Sequence, residues 1–535
     1  MATLTVLPKP ERDERRIAAF PAWRAPVVGA GIATLLAVLA LLVHGYHPYA
    51  YDGGVYVAGV KRLLNPTLYP HDTAFVLQPT RLSVFAPVVA ALARGSTLGL
   101  PATLLFLHFA TIWATLFAAW LLASACWSSA PARLGAVSLL ACWLTLPVAG
   151  TALVLMDPYL TARSFSTPLT VLALGAVLSL RGRSRGAQIR GTLLCLASLA
   201  LAFLMHPLMA AYASVAVLLL VATQARTATL RTWAPPALCV ALLVAAFAGH
   251  LIAPDESSAA HAAALSRTFW FPSQWRWYEL AGLVAPLAIL GTYAWVRRER
   301  RNGATALARA AVLLGLTALA VAVTLARPEC TAHLIARLQP LRAFCIVYLV
   351  MTLVLGAELG ERFLRRNPAR WTCTLLLLCI PMYLVQRSTY SHSAHLEFSQ
   401  ARSPNLWVQA FLWVRSNSPA DVYFAIQSDY MNAPGEDAQA FRVIADRSSL
   451  PDYSNDGGEA SVAPDLSSAW LAGANAQRSL DELSGMPADR ADAARRAVLA
   501  ATGIDWLILK ADSATNLPCP YHNAGVKVCR LAVAR

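Results

Sequence analysis

Charge is scarce in this chain. Only 14% of its 535 residues are Asp, Glu, Lys or Arg, against about 25% in an ordinary soluble domain. A disordered chain is excluded, because 57% of the residues are hydrophobic and disorder needs the opposite balance. A single-domain cytosolic enzyme is excluded too, since the apolar residues lie in blocks long enough to cross a bilayer. Zinc-type or haem-type cysteine spacing is missing. Eight of the ten cysteines lie within or beside apolar blocks, where a thiol acts as a small hydrophobe. A cleavable signal pattern is missing as well: residues 1–24 are largely polar, and the first block, 25–43, has no small-residue cleavage site.

What charge there is divides the chain. Residues 386–535 hold 13 Lys/Arg against 16 Asp/Glu, whereas residues 1–385 hold 31 against 13. The basic surplus fits loops held against anionic lipid, not a nucleic-acid groove. The expected organisation is a cytoplasmic segment over 1–24, an all-α polytopic membrane domain over 25–385, and an extracytoplasmic domain over 386–535.

Candidate spans are 25–43, 101–124, 134–153, 166–180, 191–205, 207–223, 234–252, 278–296, 305–325, 341–358 and 371–385, eleven in all. Residues 82–93 are the doubtful segment. Their apolar core of about a dozen residues makes roughly 18 Å of helix against about 30 Å of hydrocarbon, and Pro87 interrupts it. The arginines arbitrate. Counting 82–93 as a crossing gives twelve spans and puts Arg181, Arg183, Arg185 and Arg190 outside. Treating it as re-entrant or interface-lying puts them inside, together with Arg133, Arg226, Arg231, Arg297–Arg301 and Arg362, Arg365 and Arg366, as the positive-inside bias requires.

With eleven spans and the N-terminus inside, the outward loops are 44–100, 154–165, the His206-Pro207 turn, 253–277 and 326–340. Polar chemistry gathers there: Asp52 and Asp72 among five tyrosines in the long first loop, then Asp157, Arg163, Glu256, His261, His333 and Arg337. Basic residues on the outer side run against the topological bias. Phosphate binding is one physical reason, since guanidinium presents a fork to phosphate oxygens; snorkelling to lipid head groups is the other.

The tail reads as a small α/β domain. Helices are expected over 406–414 and 489–501, and strands over 422–426, 441–444, 506–509 and 526–529, with 451–488 mostly loop. Its acidic stretch 452–459 reads as a surface loop. Cys519 and Cys529 are the two cysteines outside apolar blocks, either a disulfide in an oxidising compartment or two free thiols.

Tyr51-Asp52-Gly53-Gly54-Val55-Tyr56 just after the first span, the long outer stretch 57–100, and Asp157 with Ala162-Arg163-Ser164 in a later outward loop together resemble the GT-C superfamily of integral-membrane, polyprenyl-phosphate-dependent glycosyltransferases. The resemblance implies a multi-pass protein of a bacterial cytoplasmic (inner) membrane. Its partners would be membrane lipid and a polyprenyl-phosphate sugar. Asp52 would serve as general base, Asp157 as a second catalytic carboxylate, and Arg163 and Arg337 as phosphate ligands. Asp72 is the metal candidate if Mg or Mn takes part. His206, at a helix break, would hydrogen-bond substrate or simply bridge backbone. Asp52 is followed by glycine where many members carry a second acid, so a non-catalytic envelope or assembly role stays open, with Asp52 as a helix-end anchor. A transporter fits less well: the spans carry almost no charge at depth and show no repeat.

Overall fold

The computed structural model describes residues 24–531 apart from 181–183, 226, 300–301, 399–402, 428–429, 431–436 and 484. The expected N-terminal segment up to residue 23, and Arg181, Arg183, Arg226, Arg300 and Arg301, lie outside the described residues.

The first apolar block forms α1 (Arg24–His44), and three short helices follow it: α2 (Tyr51–Leu64), α3 (Thr73–Leu82) and α4 (Phe85–Gly95). Next come α5 (Gly99–Cys126), α6 (Ala130–Cys142), α7 (Ala162–Leu178), α8 (Arg185–Met205), α9 (Pro207–Thr223) and α10 (Ala228–Leu251). The short α11 (Ser258–Leu265) precedes α12 (Trp277–Val296) and α13 (Gly303–Leu325); α14 (Leu334–Arg337), α15 (Phe344–Leu359) and α16 (Pro368–Thr389) complete this part. Among the described residues eight helices are long and apolar enough to cross a membrane, or nine if α3 and α4 count as one bent span. The apolar α6, α7 and α9 are shorter. This is a multi-pass helical membrane protein.

Lipid-facing and inner helices separate by burial. Only 6% of the apolar window of α10 or of α16 is covered by protein, against 78% for Leu334–Leu364. Exposed Val244, Phe247, Leu377 and Leu384 on the first two suit hydrocarbon, where the helix satisfies its own backbone. At the centre α6 lies on α15 with Gly135 against Gly356 and Gly360, the close backbone approach that small residues permit between membrane helices.

Two expected spans differ. The block 134–153 stays helical only to Cys142. Beyond it the Thr145 hydroxyl pairs with His44 Nδ1 at 2.8 Å, Pro147 and Val154 form an isolated bridge, and Ala149 and Ala152 take φ of 49° and 56°. The chain thereby turns back and delivers Asp157 to the start of α7. Segment 82–93 is split between α3 and α4, which meet at 99°. Their junction is tied to the end of α8, Val84 N donating to Leu204 O at 3.0 Å and Ser83 Oγ to Met205 O at 2.5 Å.

The tail contains α17 (Leu406–Asn417), α18 (Phe441–Ala445), α19 (Asn455–Val462), α20 (Ser467–Glu482) and α21 (Ala488–Leu499). Its strands are β1 (Tyr423–Ile426), β2 (Ser448–Ser449), β3 (Trp506–Lys510), β4 (Tyr521–His522) and β5 (Val526–Arg530), in the order β2-β1-β3-β5-β4. β1 runs parallel to β2 and β3, while β5 is antiparallel to β3 and β4. Expected strand 441–444 is instead helix α18, whose Phe441, Val443 and Ile444 are buried. Expected loop 451–488 is mostly helical, because Trp470, Ala474, Gln477 and Leu480 on α20 share one buried face. A disulfide joins Cys519 to Cys529. The tail core of Phe411, Phe424, Trp506 and Val528 is continuous with Tyr49, Val57, Phe85 and Leu104, so tail and first outer loop share one hydrophobic interior.

Candidate functional site

Asp52 stands in the first turn of α2, where a carboxylate complements the helix dipole. The turn is fixed on both sides. Tyr51, at φ 43°, donates its N–H to Ala438 O of the tail at 2.9 Å. A side chain at Gly53 would meet Pro48 O at 2.9 Å and Tyr159 at 3.1 Å, and one at Gly54 would strike Ala440. The Gly-Gly pair therefore lets α2 lie flat between the 143–161 loop and the tail. Asp52 itself is exposed and forms no ion pair among the described residues.

Asp157 and Arg163 are both buried. The first turn of α7 is held by a reciprocal capping box between Thr161 and Ser164, which aims Arg163 Nη2 at Asp157 Oδ2, 2.5 Å away. Burial pushes the Asp157 carboxyl up, and the Arg163 charge opposes that. Arg163 Nε is buried without a partner among the described residues.

Three residues that were not among the expected site residues join them. Arg342 lies in the turn Pro340–Ala343 ahead of α15, and its Nε has no partner among the described residues. It is within electrostatic reach of Asp52, Arg163 and Tyr56. Glu459, on α19, lies within reach of Asp52 and Asp456; burial first, then those charges, push its carboxyl up to about 8. The Tyr56 phenol is raised by burial, then by Asp52 and Glu459. Tyr56, Arg342 and Glu459 keep part of their surface open although protein surrounds each. His206 caps α9 by accepting from Met209 N at 3.4 Å, and the charges of Arg342 and Arg163 act on it. Behind Arg163 a narrow apolar cavity of about 20 Å³ runs between α7, α9 and α15, lined by Leu155, Met209, Cys345 and Ile346.

Arg337 and Asp72 are placed elsewhere. Arg337 is bonded to Glu256 and donates from Nε to Ser461 O at 2.8 Å, which pins a loop to the tail. Asp72 is buried. It pairs with Arg442 and accepts from Ser448 Oγ at 2.8 Å and Ser449 N at 3.1 Å. Both its oxygens are thus spent on docking α3 to the tail.

A set of potential metal ligands sits on other loops. Ligand atoms of Glu256, His261 and His333 all lie within 4.8 Å of one another, a group capable of holding a divalent cation. Although burial opposes it, hydrogen bonds from His333 and the Arg337 charge hold the Glu256 carboxyl below its usual range.

No family model matches this sequence, and no curated protein does. Among solved structures the chain is similar to the apo crystal structure of the Archaeoglobus fulgidus oligosaccharyltransferase, with a TM-score of 0.45 and 12% identity over 92% of this chain and 70% of that one.

Proposed function

We propose that this protein is a GT-C-type glycosyltransferase that moves a sugar from a polyprenyl-phosphate donor to an envelope glycan, lipid or protein acceptor at the outer face of an inner membrane. In this reading the chain crosses eleven times, with α6, α7 and α9 joining the eight long helices and with the N-terminus cytoplasmic. The observation that carries the reading is the convergence of Asp52, Arg163 and Arg342 from α2, α7 and the turn before α15 beside an apolar cavity. Asp157 neutralises and orients Arg163, leaving the Asp52 carboxylate and the Arg342 guanidinium, within electrostatic reach of each other and without an ion-pair partner among the described residues, as the two charged walls of one substrate cleft in this reading.

Inverting transfer needs a carboxylate to take the acceptor proton and positive charge on the departing lipid phosphate. Asp52 fills the first role. Arg342 fills the second, with the Asp157-paired Arg163 beside it. His206, between the arginines and α9, is a further hydrogen-bonding group for the donor.

Replacing Asp52 by Asn keeps the shape and removes the basicity. Transfer by purified protein should fall about 10²–10⁴-fold, with donor binding unchanged. Full activity in Asp52→Asn would remove the base. Absence of transfer by the wild type across a broad donor and acceptor panel would favour a non-catalytic envelope role.

A further inference from the structure

We propose that Glu256, His261 and His333 form a zinc site that staples the loop after α10 to the loop before α14. Glu256 lies between α10 and α11, His261 on α11, and His333 at the N-terminal cap of α14. The His261 and His333 rings are 4.9 Å apart. Two imidazole nitrogens and one carboxylate are a zinc donor set. Magnesium, which prefers oxygen ligands in octahedral geometry, suits it poorly.

Hydrogen bonds hold two of the three ligand side chains in place. Glu256 Oε1 is fully engaged, accepting from His333 N at 2.7 Å and from Arg337 Nη1. That fixes the carboxylate with Oε2 turned toward His333 Nδ1 at 3.0 Å. On the other side of the ring, Nε2 faces Pro328 O at 3.4 Å. A neutral imidazole has one N–H, so it can donate to only one of these two oxygens. Either ring nitrogen can carry that proton, and in the tautomer with it on Nε2 both Nδ1 and Glu256 Oε2 are free to ligate a cation between them. Donation of the outer ring N–H to a carbonyl is the usual companion of metal ligation by the other nitrogen.

The spacing is close to what zinc requires. Ligand atoms around a tetrahedral zinc stand roughly 3.3 Å apart. Glu256 and His333 are already near that distance, and the half-buried His261 has only to close in. Water completes the coordination. The stapled loops form the platform under α19: Arg337 holds Ser461 O, and Arg267, just past α11, donates to Tyr453 O at 2.7 Å and Ser454 O at 2.8 Å. Zinc would therefore stiffen the seat of the helix that carries Glu459. The staple does not depend on what chemistry Asp52 performs.

The test uses full-length protein in detergent with its affinity tag removed, loaded with zinc chloride, dialysed against metal-free buffer containing magnesium, and assayed for metal by mass spectrometry. The wild type should retain a single zinc per chain and unfold at a higher temperature than its metal-free form. His261→Ala should lose both the retained zinc and the zinc-dependent rise. Its metal-free form should unfold where metal-free wild type does, since alanine suits the Ala-rich α11. Wild type without retained zinc would overturn the site and leave His333 Nδ1 simply hydrogen-bonded to Glu256 Oε2. Equal retention by His261→Ala would overturn it too, by placing the metal elsewhere.

Discussion

At the residue scale, the charged groups of the cleft fall into two kinds. Asp157 and Arg163 are a buried pair, and removing one member leaves the other charged in low dielectric. Asp157→Ala should therefore destabilise the protein by about 3–5 kcal/mol, read as a loss of thermal stability in detergent. Arg342 has no such partner, so Arg342→Ala should leave unfolding nearly unchanged while weakening the binding of a polyprenyl-phosphate sugar. Equal thermal losses in the two variants would erase the distinction. Asp52, Asp157 and Arg163 were legible in the sequence, as charges just outside apolar blocks. The choice between Arg337 and Arg342 was not. Left-handed Gln339, at φ 49°, and Pro340 turn the chain between them, so one arginine faces Glu256 and the other the cleft. Nothing local ties Glu459 to Asp52 either, because a tail helix and the first outer loop meet only through tertiary packing.

At the scale of elements, periodicity was reliable where one environment surrounds a helix and failed where two compete. The membrane-length blocks were clear because hydrocarbon demands continuous apolarity. Residues 143–153 are equally apolar, yet proline, a glycine turn and the His44–Thr145 bond make them a loop. Phe441–Ala445 has strand composition, but packing against α17 and α2 gives a helix; propensity yields to such contacts. The acidic stretch 452–459 looked like solvated loop because its charge partners are distant: Asp456 accepts from Arg442 Nη1 at 2.7 Å beside Asp72. It holds α19 in place, and with it Glu459. Below about pH 8 the Glu459 carboxyl is neutral; above it, a second negative charge appears beside Asp52. Affinity for a phosphate-bearing donor should then fall as pH rises through 8, and Glu459→Gln should flatten that fall. The linkage has the same sign for folding. The native state keeps a proton that the unfolded chain releases near 4.5, so this group's contribution to stability declines between about 4.5 and about 8. Parallel pH curves of donor binding for wild type and Glu459→Gln would exclude Glu459 as the source.

At the scale of the whole molecule, the loops sort to two ends of the helical bundle. At one end the tail grips the outward-assigned loops: Tyr46 N bonds His395 O at 2.9 Å, and Arg267 and Arg337 reach α19 and its flank, while His47 N ties the first of these loops to Pro158 O of another at 2.8 Å. At the other end Arg297 pairs with Glu358 at 2.5 Å. Because tail and first outer loop share a core, reduction of Cys519–Cys529 should cost about 2–3 kcal/mol and also disturb the α2 seat, which is read as lower transfer activity under reductant. The gathering of loops also bears on the number of crossings. In the eleven-crossing reading seven helices, α8, α9, α10, α12, α13, α15 and α16, separate the loop at Ser184 from the tail and put the two on opposite faces; with a cytoplasmic N-terminus, a further crossing at 82–93 would exchange which of them faces outward. The 99° bend between α3 and α4 and the bonds from their junction to the outer end of α8 favour a segment that enters and leaves on the same face. Ser184 and Ser468 are both exposed and suit cysteine substitution. In intact cells a membrane-impermeant maleimide should label Ser468→Cys but not Ser184→Cys, which becomes reactive only after permeabilisation. Labelling of Ser184→Cys in intact cells would exclude the eleven-crossing arrangement with a cytoplasmic N-terminus, and protection of Ser468→Cys in the same cells would favour a crossing at 82–93.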